Sequence, residues 1–171
     1  ALLRMNIEMN NTSDEILGQV DGVIHKIRSI SHQMSPTYLQ HIHLSESVEK
    51  LTNEYLKHTS IQYYVDIENI QWMTNNASIQ IFRIIQECLS NTLKHSAASM
   101  VKITLEERED EFYLRYSDNG QGLHRKSNTK GFGMTNMQTR VASFGGHIHI
   151  SSQLQRGITI EVWGKRSEIR A

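Results

Sequence analysis

Between Ile79 and Tyr116 the apolar residues change their spacing, and that change restricts the fold more than any other feature of the chain. From Ile79 to His95, Ile81, Ile85, Cys88, Leu89 and Thr92 fall on one side when read at about 100° per residue, the repeat of an α-helix. After His95, Val101, Ile103 and Leu105 alternate with Lys102, Thr104 and Glu106. Charged residues around Glu109 and Asp110 make a turn, and Phe112, Leu114 and Tyr116 alternate back. A helix leading into a hairpin with one apolar face calls for a helical layer packed on one side of a sheet.

The flanking segments extend that pattern. Leu44, Val48, Leu51 and Tyr55 are spaced as a helix, with Ser45 as its expected N-cap. Ile61 to Ile67 reads as a strand, and Asn75-Asn76 is expected to precede the long helix. Beyond the hairpin, polar residues run to Lys130. Gly131-Phe132-Gly133 then opens a helix carrying Met134, Met137, Val141 and Phe144, and Gly145-Gly146 stops it. Ile148 and Ile150 alternate in one strand, and Ile158, Ile160 and Val162 in the last. The expected class is α+β: a two-layer α/β sandwich, with a mixed sheet carrying helices on one face.

The first forty residues read differently. Leu2, Met5 and Met9 look like the tail of a helix, and Asn10 to Ser13 breaks the pattern. Ile16, Val20, Val23, Ile27, Ile30 and Met34 follow at spacings of four, three, four, three and four, a heptad seam that Pro36 ends. Leu17 and Ile24 widen the stripe, so the expected partner is a second copy, giving a four-helix bundle in a homodimer. The expected organisation is a truncated dimerisation hairpin at 1–40 and a second domain at 41–171. Ala1 stands in what reads as mid-helix, as expected of a piece of a longer protein.

Composition excludes some function classes. Eighteen Lys plus Arg balance eighteen Asp plus Glu, so the chain lacks the basic excess of a nucleic-acid binder. No apolar run is long enough to span a bilayer, so any membrane link is expected through upstream segments. The single cysteine, Cys88, suits a reducing compartment, and a cytoplasmic location is expected. It reads as a small core residue.

The polar side of the long helix carries Arg83, Glu87, Asn91, Lys94 and His95. A carboxylate, an amide and an ammonium thus stand at i, i+4 and i+7. A solvated face would more often alternate Glu and Lys, although solvation is the simpler reading of this helix alone. Asp118 ends a strand and is followed by Gly120 and Gly122. A carboxylate there can accept from an exocyclic amine such as adenine N6 and would repel the carbonyl of guanine, while the glycines admit a flat base. Alone, this is also a common turn. Gly131-x-Gly133 at a helix start offers free N–H groups to phosphates, and the missing Gly-Lys-Ser/Thr excludes a P-loop. Asn91 could hold Mg²⁺, which needs few protein ligands, and Lys94 could balance phosphate charge.

In order, these motifs resemble the ATP-binding superfamily of gyrase, the heat-shock chaperone, histidine kinases and MutL. Gln86-Glu87-Cys88-Leu89-Ser90-Asn91-Thr92-Leu93-Lys94-His95 is similar to Gln-Glu-Ala-Leu-x-Asn-Ala-x-Lys-His of sensor histidine kinases of the nitrate-sensor type. Gly133-Met134-Thr135-Asn136-Met137-Gln138-Thr139-Arg140-Val141, with Phe144-Gly145-Gly146, is similar to their Gly-Leu-x-Asn-Met-x-x-Arg-Val…Gly-Gly. The resemblance implies an ATP-dependent kinase acting on a bundle histidine, with a response-regulator aspartate as the next acceptor. It implies that Asp118 binds adenine, that Asn91 holds Mg²⁺ and that Glu87 orients water or polarises the phosphate region. Lys94 and His95 would lie near the phosphates. Gly120, Gly122, Gly131, Phe132, Gly133 and Met134 would frame the nucleotide and a short lid.

Two departures bear on that reading. The family's last strand begins Gly-Thr-x-Ile-x-Val, whereas Gly157-Ile158-Thr159-Ile160-Glu161-Val162 puts Ile158 at the Thr position. A contact to adenine is then lost, and weaker nucleotide binding is expected. His32 precedes Pro36 by four residues rather than the five of the commoner acceptor motif. The nitrate-sensor pattern instead places the acceptor on the preceding helix, upstream of Ala1. Two other readings remain at this point: an ATPase clamp of the same superfamily, and a dimeric module that binds nucleotide without turnover.

Overall fold

The structure is a computed structural model and describes residues 43–123 and 132–169. The expected N-terminal helices with their seam, His32, the boundary near residue 40 and Gly131 lie outside the described residues. In order, the chain forms α1 (Leu44–Leu56), β1 (Gln62–Ile67), α2 (Asn75–Asn91), a π-helical segment (Thr92–Ser96), β2 (Met100–Arg108), β3 (Glu111–Asp118), α3 (Phe132–Ser143), β4 (His147–Gln153) and β5 (Gly157–Lys165).

The five strands form one sheet in the order β1-β2-β3-β5-β4. β1 runs parallel to β2, with α2 as the crossover, and the remaining neighbours are antiparallel. The sheet is therefore mixed, as expected. Its inward positions are the apolar alternates. Val101, Ile103, Leu105, Phe112, Leu114, Tyr116, Ile160 and Val162 are buried, and Ile148 and Ile150 on the edge strand β4 and Ile158 on β5 pack against them. The opposite face carries Lys102, Arg115, Glu161 and His149 and is more open to solvent. Helical residues join the same core, Val48 and Leu56 from α1 and Met137, Val141 and Phe144 near α3. A sheet apolar on one side can be closed by one helical layer.

α2 is the central helix of that layer. Its sequence stripe anticipates Ile81, Ile85, Cys88 and Leu89, but Ala77, Phe82, Ile84 and Gln86 are buried too. The stripe is broader because α2 packs against both α1 and α3 as well as the sheet. Cys88 is buried as expected, and burial pushes its thiol well above the ordinary range. The thiolate is disfavoured, so this side chain is a small apolar filler.

Three boundaries differ from the sequence reading. α2 starts at Asn75 rather than near Ile79, because the Thr74 side chain accepts from Ala77 N–H at 3.2 Å and caps it. α1 starts at Leu44 with His43 in the cap position and no side-chain cap bond, so Ser45 is not its N-cap. An earlier start brings Leu44 against the core. At the other end of α2, the α-helix does not reach His95. It opens into a π-helical turn at Thr92–Ser96 and leaves through Ala97, which takes a left-handed φ of 50°. Gly145 takes the left-handed turn that ends α3 (φ 84°), as the glycine pair predicts.

Two stability outcomes follow from this packing. Ile85→Ala should lower the unfolding free energy by about 2–5 kcal/mol, the cost of an unfilled core site. Thr74→Ala should cost about 1 kcal/mol through loss of the cap. Urea titration followed by circular dichroism measures both; equal costs would show that α2 is not held mainly by burial.

Candidate functional site

The polar groups singled out in the sequence come from three elements, and the π-helical turn connects them. On α2, Glu87 and Asn91 are one turn apart and half-buried. Asn91 Nδ2 donates to Glu87 Oε1 at 3.2 Å. A carboxylate accepts only, so the amide nitrogen must face it and Asn91 Oδ1 points elsewhere. Gly133, in the first turn of α3, lies directly over this pair. A Cβ there would stand 2.5 Å from Glu87 Oε1 and 3.6 Å from Asn91 Nδ2. The absent side chain is what lets the start of α3 approach the carboxylate and amide.

The second group is built around Asp118 at the end of β3, which is 7% exposed. Its Oδ1 accepts from Gly120 N–H at 2.9 Å, and its Oδ2 accepts from the Thr92 hydroxyl at 2.8 Å. The Tyr116 hydroxyl lies 2.8 Å from the same Thr92 oxygen. Thr92 has one proton and gives it to Asp118, so Tyr116 donates to Thr92. Burial above all pushes the Tyr116 phenol well above its ordinary pKa, which keeps it a donor. The order of donation is therefore Tyr116 to Thr92 to Asp118.

The loop after Asp118 is clamped by backbone. Gln121 N–H donates to Ser96 O at 2.7 Å, and Gln121 Nε2 reaches His95 O at 2.5 Å. Gly120 presses on the Ser96 backbone, with no room for a Cβ. Gly122 lies against the Gln153 carbonyl. Asn119 Oδ1 accepts from the Ser99 and Met100 N–H groups, each at 2.9 Å. Gly157, with φ +83°, lets the start of β5 pass directly over the Asp118 carbonyl.

Of the residues expected from sequence, Glu87, Asn91 and Gly133 form one cluster. Asp118 and Gly120 form a second, joined to the first through Thr92, the next residue after Asn91. Lys94 and His95 are exposed on the π-helical turn, and Met134 is half-buried near the start of α3. Phe132 is the first residue of α3. The sequence reading missed Thr92 as a polar group, Tyr116 as its donor and Gly157 as a steric requirement. Both hydroxyl residues sat in apolar patterns, and only the pairing of α2 with β3 reveals their partners. Ile158 is the register partner of Asp118 and packs its side chain against the core, as its alternation predicts.

The donor set suits a hard cation in a limited way. Asn91 offers a neutral amide oxygen beside the Glu87 carboxylate, both oxygen ligands of the kind Mg²⁺ takes. Among the described residues no group of three His, Cys, Asp or Glu could enclose a metal. A cation here would depend on water and on a ligand's phosphates for most of its shell.

Residues 76–167 match the family model described as histidine kinase-, DNA gyrase B-, and HSP90-like ATPase. The chain belongs to this ATPase family. A signal transduction histidine-protein kinase/phosphatase DegS of Brevibacillus brevis is 30% identical over 145 residues, covering 82% of this chain and 37% of that protein. The sensor protein VraS of Staphylococcus saprophyticus is 32% identical over 138 residues, covering 80% of this chain and 40% of that one. The chain thus spans well under half the length of these curated relatives. In structure, the histidine kinase domain of a blue-light activated histidine kinase from Erythrobacter litoralis matches with a TM-score of 0.64 at 14% identity. That match covers 74% of this chain and 62% of the other, a likeness of fold. As an ATPase-family domain, the chain folds with a five-stranded mixed sheet and helices, the architecture of these kinase domains.

Gly157→Ala should lower stability by about 1–3 kcal/mol, because a Cβ there meets the Asp118 carbonyl and the backbone is in a strained region. Urea titration beside Gly145→Ala separates the two causes. Gly145 shares the positive φ but is not crowded against Asp118, so a larger loss at Gly157 assigns the excess to the crowded contact.

Proposed function

We propose that this chain is the ATP-binding part of a sensor histidine kinase core of the nitrate-sensor type. The observation that carries the reading is the buried Asp118 carboxylate, tied by Thr92 to the helix that bears Glu87 and Asn91. Asp118 accepts from the adenine amine. Asn91 holds Mg²⁺ through its Oδ1, and Glu87 orients that amide and the reacting phosphate region. Lys94 and His95, exposed on the π-helical turn, balance phosphate charge, and the N–H groups at the start of α3 meet the phosphates. The metal, when bound, supplies positive charge to the phosphate oxygens. Phosphoryl transfer is mostly positioning plus charge stabilisation, which suits a site with few side chains.

The domain then runs from about residue 41, preceded by a helical hairpin that forms a dimeric bundle. The phosphoacceptor is a histidine on a helix before the heptad seam that Pro36 ends, and a response-regulator receiver aspartate takes the group next. The named relatives, sensor proteins and a kinase/phosphatase, support that partner, and the even charge balance supports no nucleic acid. No helix among the described residues is long and apolar enough to cross a membrane, in keeping with a cytoplasmic portion of a sensor.

Labelling with γ-phosphate-tagged ATP tests this reading. The chain should bind ATP without labelling itself, and a version extended upstream should acquire label. Self-labelling of this chain that disappears in His32→Gln would overturn the upstream acceptor. Asp118→Ala should reduce ATP affinity by at least about a hundredfold while leaving the circular dichroism spectrum intact, since it removes a charged hydrogen-bond partner and exposes its buried surroundings. Unchanged affinity would refute the adenine role. Ile158 opposite Asp118 favours one second reading, binding without turnover. ATP binding with no label in the extended chain would select it.

A further inference from the structure

The Asp118 carboxylate is held on both oxygens. Gly120 N–H fixes Oδ1 from its own loop, and the Thr92 hydroxyl fixes Oδ2 from the facing helix. Tyr116 OH, itself buried, occupies the acceptor side of Thr92 and so directs the Thr92 proton toward Asp118. Thr92 is 3% exposed, which shields this bond from competing water. Across the sheet the register partners of Asp118 are Val101 and Ile158, whose side chains offer no hydrogen bond. Thr92 is therefore the one side-chain donor that meets the Asp118 carboxylate among the described residues.

A carboxylate has about four lone-pair positions, and two of Asp118's are used. With both oxygens pinned, its plane cannot turn, and the remaining lone pairs point in set directions. This matters for purine choice. A 6-aminopurine offers an exocyclic N–H donor, whereas a 6-oxopurine offers a carbonyl there and a ring N1–H one atom away. A carboxylate free to rotate could meet either donor, while a pinned one meets only the first.

We propose that Thr92 is a specificity-determining positioning residue: its hydroxyl, oriented by Tyr116, locks Asp118 to favour a 6-aminopurine nucleotide over a 6-oxopurine one. The inference rests on the reading of Asp118 as the base-binding group. The hydroxyl does not touch the nucleotide and acts only through the carboxylate.

Binding of ATP and inosine triphosphate to the chain, measured by isothermal calorimetry, tests it. The wild-type chain should prefer ATP. Thr92→Val, which keeps the shape and removes the hydroxyl, should lose about tenfold in ATP affinity and about tenfold in the ATP-to-inosine-triphosphate ratio, the effect of one charge-assisted hydrogen bond. Thr92→Ser should retain the wild-type ratio, and Thr92→Ala, which also lacks the hydroxyl, should reproduce the valine result. A purely structural role for Thr92 would lower both affinities together and leave the ratio unchanged, which would overturn the inference. A ratio lost in Thr92→Ser as well would also overturn it. Asp118→Asn separates this from failure of the site itself. If Asp118→Asn abolishes the preference and Thr92→Val does not, the inference fails while the base-binding role stands. If neither change alters ATP binding, both fail.

Discussion

Everything in the described residues depends on α2 being buried along its length while its last turn stays polar. The helix lies between α1, α3 and the sheet, and eight of its residues are buried. That burial fixes its axis and rotation. Once they are fixed, Glu87 and Asn91 can only face the start of α3, and Thr92 can only face the end of β3. An α-helix continued to His95 would spend its final residues on the same rotation. The π-helical turn breaks that rotation where the chain must leave the core, and it brings the Ser96 carbonyl to Gln121. Such turns occur most often where function asks for irregular geometry.

Buried polar groups are expensive unless satisfied, and here their partners come both from nearby residues and from distant strands. Asp118 is served by Gly120 and Thr92, and Thr92 in turn by Tyr116. Gln86, buried on α2, accepts from Arg83 at 3.2 Å. Arg140 donates to Gln80 at 3.1 Å and ties α3 to α2 on the outside. The core is thus apolar toward the sheet and hydrogen-bonded toward the end where the strands and helices expose their ends. A fully satisfied network specifies one geometry, because any displaced member leaves a buried group without a partner.

Much of this was legible in the sequence. Period two at Val101–Leu105 and at Phe112–Tyr116 identifies the inward face of the hairpin, since β2 and β3 bury those positions. Gly145-Gly146 marks the end of α3 because a left-handed turn there needs no Cβ. Glu87, Asn91 and Gly133 could be grouped from motif order, and they do meet. What could not be read was long-range. The start of α2 was set by Thr74, a cap that no apolar period announces. The burial of Phe82 and Gln86 lies beyond the stripe that helix periodicity marks. Thr92 and Tyr116 looked like ordinary members of apolar stripes, because a hydroxyl 24 residues from its partner leaves no local mark. Gly157 read as a strand start, and its crowding against Asp118 exists only when β5 lies beside β3.

The two polar clusters differ in how freely they can respond to a ligand. Glu87 and Asn91 are half-buried and are joined by a single side-chain bond, with Gly133 close over them. Asp118 is almost fully buried, both its carboxylate oxygens accept hydrogen bonds, and Gly157 lies against its backbone carbonyl. A ligand reaching across both would find one end rigid and the other adaptable. Selectivity belongs at the rigid end, since a group that cannot turn can reject a mismatched donor pattern. On the proposed reading, charge stabilisation falls at the other end, where phosphate oxygens would change position as a bond breaks. Residues 91 and 92 are consecutive, so one backbone step separates these two behaviours. The first side chain enters the adaptable cluster, and the second enters the rigid one. If Asp118 is the base-binding group, substitution at 92 acts on base choice with little effect on the geometry of the Glu87–Asn91 pair, because the backbone position that both share is set by the buried α2 and not by the threonine hydroxyl.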